Sequence, residues 1–287
     1  MRLKAAVIWI LLYFLFFSPL ANASPRAPRE GQDGIPRRII SLGSTLTEGL
    51  YLLGAQDSLV ADTLYCERPP EAKLKEKVGT IVDADLEKIV SLNPDLVLAT
   101  SLTNPAVKEK LKNLRIRVVD FPLARNFQEL CGHFVELGKV VGKVEAAEKI
   151  VRSSREKIEA LKKNIQDLPK PKVFMQIGAN PLFAVTKDYF LNDFIEFAGG
   201  VNIAADARSG LYSREEVIRR NPDVIIITSM GMLGEKEKEQ WLGFSGLSAV
   251  KNSRIYVIDT YKLCGPTPVS FVEALEELIE IFHHEKR

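Results

Sequence analysis

The sequence predicts an α/β fold of two lobes, each with a parallel central sheet, joined by one long α-helix with a ligand cleft between the lobes. Three observations carry this. Short β-branched runs alternate with stretches of helical periodicity, the pattern of parallel sheets covered on both faces. Residues 126–168 hold no strand signal and include a long amphipathic stretch. A repeat brackets that stretch: DLEKIVSLNPDLVLATS (residues 85–101) and SREEVIRRNPDVIIITS (residues 213–229) share six identities in seventeen positions without a gap. Each copy reads as a short helix, an Asn-Pro-Asp break and a buried strand.

The elements follow in order. Arg38–Leu42 is a strand, and Gly43-Ser44 turns the chain. Thr45-x-x-Glu48 is a capping-box pattern opening a helix that ends at Gly54. Strands are expected at Leu59–Ala61, Leu96–Ala99 and Ile116–Asp120, and helices at Asp85–Leu92 and Ala106–Leu114. Pro94 breaks the chain between helix and strand, since it cannot continue the one and restricts the residue before it. Asn126–Val141 and Lys143–Leu168 form the connecting helices, the second ended by Pro169 and Pro171. Strands resume at Val173–Ile177, Val224–Thr228 and Ile255–Ile258, with helices at Tyr189–Ala198, Arg214–Arg220 and Val269–Phe282. The domain reading is an N-lobe over 38–125, connecting helices over 126–168 and a C-lobe over 172–287. Ligands of open α/β sheets bind beyond the carboxyl ends of the strands. The loops after Ala99 and Thr228 are therefore expected at the cleft.

The N-terminus reads as an export signal. Arg2 and Lys4 precede an apolar run over 5–20, and Ala21-Asn22-Ala23 matches a cleavage site, giving a signal peptide over 1–23. Residues 24–37 are rich in Pro, Gly and charge and form an expected flexible leader. The chain carries 39 basic and 37 acidic residues, and both excess positives lie in the signal. The remainder is balanced, which argues against nucleic acid as a partner. Three cysteines, an odd number, exclude a full disulfide framework. Three histidines, two of them in the last five residues, leave no basis for a multi-histidine metal site. There is no Walker A sequence, nucleophile elbow or GxGxxG. No catalytic set with a matched base and nucleophile is visible, so the reading is a binder and no enzyme, a monomer with no resident metal or cofactor. The alternative of another class is an exported enzyme or metal-cluster scaffold on a similar fold.

These features, with RIISLGSTLTEGLYLLGA (residues 38–55), YCERPPEA (65–72), KVFMQIGANPLFAV (172–185) and FIEFAGGVNIA (194–204), resemble the helical-backbone solute-binding proteins of ABC importers. That family serves vitamin B12, iron–siderophore and haem uptake, and the resemblance covers about residues 38–287. It implies a periplasmic protein that captures a metal chelate and delivers it to an inner-membrane permease. Lys172–Thr228 is most similar to the vitamin B12 members, which implies a corrinoid, cobalamin-like ligand. A ferric siderophore or haem is the alternative; Arg208 and Arg214 would suit the first, Tyr65 or Tyr261 the second. A long helix is also a poor hinge, so small tilts rather than wide closure are expected.

The resemblance places an aromatic ligand contact at Tyr65, with Cys66 beside it, and further contacts in the loop of Tyr261, Lys262 and Cys264. Phe183, Trp241 and Phe244 are further aromatic candidates, since ring faces stack on planar macrocycles. Cys66 and Cys264 are read as free pocket thiols, a disulfide, or ligands to a chelated metal. Cys131 reads as a core thiol, and Met230 and Met232 as a cleft-lining pair. In the family, one exposed glutamate per lobe docks into arginine pockets of the permease. The matching positions are Glu87 and Glu215, equivalent in the two repeat copies. Two-fold related charges suit a two-fold transporter.

Overall fold

The structure, a computed structural model, describes residues 34–229 and 233–283. The expected signal peptide, most of the expected leader, Met230 and Met232 lie outside these. In the first lobe Ile39 and Ile40 are both fully buried, because β1 (Ile39–Ser41) lies inside a sheet covered on both faces. The chain continues through α1 (Ser44–Leu52), β2 (Leu59–Asp62), a 3-10 turn at Pro70–Leu74 and β3 (Glu76–Lys77). It then runs through α2 (Leu86–Ser91), β4 (Leu96–Thr100), α3 (Pro105–Asn113) and β5 (Arg117–Phe121). The strand order is β3-β2-β1-β4-β5, parallel throughout. Successive residues point to opposite faces. Ile39, Leu96 and Leu98 join one core cluster, Ile40 and Val97 another.

Two helices leave the first lobe, α4 (Phe127–Val140) and α5 (Val144–Asn164). They pack closely: a Cβ on Gly138 would sit 2.6 Å from the Cβ of Ala147. The helix expected to reach Leu168 stops at Asn164, a turn before Pro169. The second lobe follows as β6 (Lys172–Gly178), β7 (Phe183–Ala184), α6 (Asn192–Phe197), β8 (Val201–Asn202), α7 (Arg214–Arg220) and β9 (Val224–Ser229). After it come α8 (Leu233–Leu242), α9 (Ser248–Lys251), β10 (Ile255–Asp259), α10 (Thr260–Leu263) and α11 (Pro268–His283). The order is β10-β9-β6-β7, with β8 also on β6. The expected parallel sheet holds for β10, β9, β6 and β8, whereas β7 folds back antiparallel on β6 and makes the sheet mixed.

The join between the lobes is broader than one helix. One core cluster holds residues of both sheets, of α4 and α5, and of α11. At its centre Phe271 of α11 stacks on Phe194 of α6, centroids 4.1 Å apart, and meets Phe127 of α4 at 4.6 Å. A continuous core resists wide separation of the lobes.

The repeat has a physical cause in each lobe. Asp85 caps α2 by accepting the Lys88 N–H, and Ser213 caps α7 by accepting that of Glu216. Asn93 and Asn221 follow the helices in the left-handed region, φ 51° and 47°, which Asn tolerates. Asp95 then accepts the Arg37 and Arg38 backbone N–H groups, and Asp223 accepts that of Lys172. Each aspartate thus clamps the start of its lobe's first strand to the next strand in the sheet. The same offset continues beyond the first match: Lys108-Glu109-Lys110 on α3 matches Lys236-Glu237-Lys238 on α8.

The capping box at Thr45 and Glu48 is not formed. Gly43 occupies the N-cap of α1, with no side-chain cap. Both side chains are drawn instead into contacts with the other lobe.

Candidate functional site

A cavity of about 670 Å³ opens between the lobes at the carboxyl ends of β1, β2 and β10. The first lobe supplies Ser44, Tyr65, Glu67 and Arg68; the second supplies Asp259, Tyr261 and Cys264 among others. The loop after β4 does not line it, contrary to expectation, because β4 lies beyond β1 from β2 in the sheet. Most of the loop after β9 lies outside the described residues.

One wall of the cavity is a seam of hydrogen bonds between lobes. Thr45 Oγ1 donates to the Gly265 carbonyl at 2.9 Å. The Tyr261 hydroxyl accepts the backbone N–H groups of Glu67 at 3.1 Å and Arg68 at 3.2 Å. The Arg68 guanidinium lies 4.3 Å from the Tyr261 ring centre and donates to the Tyr261 carbonyl. Behind it, buried Glu48 holds Arg68 Nε at 3.0 Å and accepts from Thr267 Oγ1 at 3.0 Å. Glu48, Arg68, Thr45 and Thr267 escaped the sequence reading. The capping-box spacing explained two of them locally, and nothing in sequence signals contacts across 193 to 220 residues.

Beneath the Tyr65 loop, Lys77 Nζ donates to Asp62 Oδ1 at 2.6 Å and to the carbonyl of Ala72 at 2.9 Å. Asp62 is fully buried, and burial, partly offset by Lys77, raises its carboxyl to about 6. This pair pins the loop from below.

The sequence-predicted residues divide. Tyr65, Tyr261 and Cys264 line the cavity together. Tyr65 is 61% exposed, with a free ring, while Tyr261 is committed to the seam. Cys264 is a free exposed thiol, yet desolvation by the cavity walls raises it to about 11. Cys66 is corrected: it is fully buried, its Sγ 3.2 Å from the hydroxyls of Thr47 and Thr63, and burial pushes its thiol up. No disulfide joins it to Cys264. Cys131 is buried and free within α4.

Lys262 does not line the cavity; it pairs with Glu277 on α11 at 2.8 Å. Trp241 is likewise corrected. It is fully buried, donating Nε1–H to Gln176 at 2.7 Å, with Phe174, Phe244 and the Arg214 guanidinium around its ring. Phe183 is half-buried on β7 and does not line this cavity. Arg214 is committed to Glu237 at 2.7 Å, whereas Arg208 is exposed. No cluster of three or more His, Cys, Asp or Glu side chains that could hold a metal occurs among the described residues. No helix among them is long and apolar enough to cross a membrane.

Glu87 and Glu215 sit in the first turns of α2 and α7, both exposed, and neither forms an ion pair or hydrogen bond among the described residues. The Asp85 N–H bonds the Val78 carbonyl, just past β3, so α2 begins at the carboxyl end of the first sheet. The Tyr212 N–H bonds the Leu182 carbonyl beside β7, which places the start of α7 at the carboxyl end of the second. Both glutamates therefore lie toward the ends of the sheets where the cleft opens.

Residues 39–261 match the family model described as periplasmic binding protein. The chain belongs to this family. As a periplasmic binding protein it is similar along almost its whole length to the vitamin B12-binding protein of Vibrio parahaemolyticus, 30% identical over 282 residues, covering 97% of this chain and 98% of that one. Its fold is similar to the crystal structure of the periplasmic vitamin B12 binding protein BtuF of Vibrio cholerae. The TM-score is 0.71 at 27% identity, over 86% of this chain and 96% of that one. It is similar too to a possible iron-binding periplasmic solute-binding protein of Staphylococcus epidermidis, TM-score 0.78 at 26% identity, over 87% and 99% of the two chains. Such proteins are the substrate-binding components of ABC importers and act with a membrane permease.

Proposed function

We propose that this periplasmic binding protein captures a corrinoid, a cobalamin-like ligand, between its lobes. It then delivers the ligand to an ABC permease of the inner membrane. The chain works in the periplasm as a monomer after cleavage behind Ala23, and docks through Glu87 and Glu215. The observation that carries the ligand class is the balance of the cleft. Its arginine is neutralised, Arg68 by Glu48 and by the Tyr261 ring and carbonyl, while Tyr65 offers an uncommitted aromatic face. A large, weakly charged ligand with a planar face suits that lining better than an anionic ferric chelate, which calls for free cations. The similarity to vitamin B12-binding proteins supports the same choice. The committed Tyr261 hydroxyl argues against haem ligation there.

Calorimetric titration of the purified protein with cyanocobalamin tests this. Saturable one-to-one binding is expected, weakened about tenfold by Tyr65→Ala, the loss of one stacked ring. Absence of binding to any corrinoid, with tight binding of haemin or a ferric siderophore, overturns the ligand assignment and leaves the family unaffected.

A further inference from the structure

The cavity between the lobes is unevenly charged. Its lining holds one basic side chain, Arg68, and two carboxylates, Glu67 from the first lobe and Asp259 from the second. A third carboxylate, Glu48, stands behind Arg68, its Oε2 3.0 Å from Arg68 Nε. Three negative charges therefore stand in or directly behind the lining, against one positive charge.

Local structure holds each of these charges in place. Asp259 ends β10 and caps α10, its Oδ1 accepting the Tyr261 N–H at 2.9 Å. That bond fixes the carboxylate at the carboxyl end of the second sheet, and Asp259 has no ion-pair partner among the described residues. Glu67 meets Lys73 at 3.4 Å, with both side chains more than half exposed, so water screens the pair strongly. Its backbone N–H is fixed by the Tyr261 hydroxyl of the other lobe. Lys262, the nearest lysine in the chain to Tyr261, is taken up by Glu277 outside the lining. Arg68 is held by Glu48, by the Tyr261 carbonyl at 3.2 Å and by the Tyr261 ring.

We propose that the cleft selects its ligand by charge, with Glu67 and Asp259 as specificity-determining groups and Glu48 as the positioning residue that masks Arg68. Among chelates of one shape, the cationic form binds tightest and the anionic form weakest. This deepens the corrinoid reading given above and rests on it. A cleft lined by one sign of charge and walled by protein focuses its field on whatever enters. Because Glu67 and Asp259 come from opposite lobes, that field acts on a ligand from both sides. Corrinoids carry neutral amides around the ring, so a change of a few atoms at the periphery changes the net charge and leaves the macrocycle intact.

The test titrates the purified protein with three forms of cyanocobalamin. One is the neutral parent. The second has one peripheral amide hydrolysed to a carboxylate, and the third has that carboxylate coupled to ethylenediamine, which leaves an ammonium group. Calorimetry at low salt should rank ammonium above parent above carboxylate, with about thirtyfold between the extremes. Glu67→Gln and Asp259→Asn should each narrow that span about threefold, and together about tenfold. Asparagine keeps the cap of α10, and melting curves show that each variant is folded. Glu48→Gln should also narrow the span about threefold, whereas a merely structural role for Glu48 would weaken all three ligands alike. Salt at about 0.5 M should shrink the wild-type span. Equal binding of the three forms overturns charge selection and leaves the corrinoid reading in place. A span that survives in the Glu67→Gln, Asp259→Asn double variant, or at high salt, overturns it too. Failure of every form to bind overturns the corrinoid reading, and this selection with it.

Discussion

Glu48→Ala should lower stability more than any other single change in the cleft wall. Glu48 lies inside α1 with its side chain 10% exposed, and it serves both lobes. Its Oε2 holds Arg68 Nε at 3.0 Å, and its Oε1 accepts from Thr267 Oγ1 at 3.0 Å. The first contact is an ion pair without hydrogen-bond geometry, the second a hydrogen bond to a charged group that contributes about 1.5–3 kcal/mol, and leaving the buried guanidinium without its counter-charge adds to the loss. The loss is partly offset. Thr267 keeps its bond with Ser270, and Arg68 keeps the Tyr261 carbonyl. The net expectation is about 3 kcal/mol. For a chain of this size about 2–4 °C of melting temperature corresponds to each kcal/mol, so Tm should fall by about 6–12 °C. Glu48→Gln keeps an acceptor for Thr267 and should fall about half as far. Calorimetry and urea denaturation read both. A Tm within about 1 °C of wild type for Glu48→Ala would refute the reasoning. So would strict additivity of Glu48→Ala and Arg68→Met in a double-mutant cycle, since coupled partners must deviate from it.

Two further outcomes follow from the titratable groups. Thiol counting on the unfolded, unreduced protein should give three. In the native protein Cys264 alone should react, and slowly at pH 8 because its thiol is raised to about 11, while Cys66 and Cys131 wait for unfolding. A count of one would mean that a disulfide forms. Asp62 carries a folded pKa of about 6 against 3.8 for the free group, so the folded state holds the proton more tightly. Its contribution is favourable at low pH and is lost as pH rises from about 4 to about 6. The stability of wild type relative to Asp62→Asn should therefore decline across that window, and a flat difference in urea denaturation at pH 4 and pH 6.5 would show that Asp62 ionises normally.

Much of the fold was legible because the signals behind it are local. Continuous apolar runs such as LVLAT are buried on both faces of a sheet, as β4 is. The Asn-Pro-Asp repeat proved to be a cap, a break and a clamp, three functions set within a few residues. What stayed hidden depends on distant partners. Thr45 and Glu48 have capping-box spacing, yet their hydrogen bonds go to Gly265 and Thr267. Cys66 and Tyr65 are adjacent in a loop, but one faces Thr47 and Thr63 while the other faces water. Trp241 was legible as an aromatic; that it fills the second lobe and bonds Gln176 depends on how α8 lies over β6 and β9. The short β7 carries no alternation long enough to register as a strand.

The two joins between the lobes differ in kind, and the difference bears on ligand release. Behind the cleft the lobes share one apolar core through α4, α5 and α11, which yields little without opening voids. At the cleft wall five hydrogen bonds cross between them: Thr45 to Gly265, Glu67 and Arg68 to the Tyr261 hydroxyl, Arg68 to the Tyr261 carbonyl, and Thr267 to Glu48. At about 0.5–1.5 kcal/mol net each, and with several partly exposed, the seam contributes about 3–6 kcal/mol. Two charge-assisted docking contacts at about 1.5–3 kcal/mol each would supply the same range. Docking on α2 and α7 would act on the lobes through β4 and β9, the strands that Asp95 and Asp223 clamp to β1 and β6. A permease that engaged both helices as proposed, and held them more tightly in the open form, would match the seam in energy while the shared core stayed closed. That is the condition for release by a small tilt of two otherwise rigid lobes.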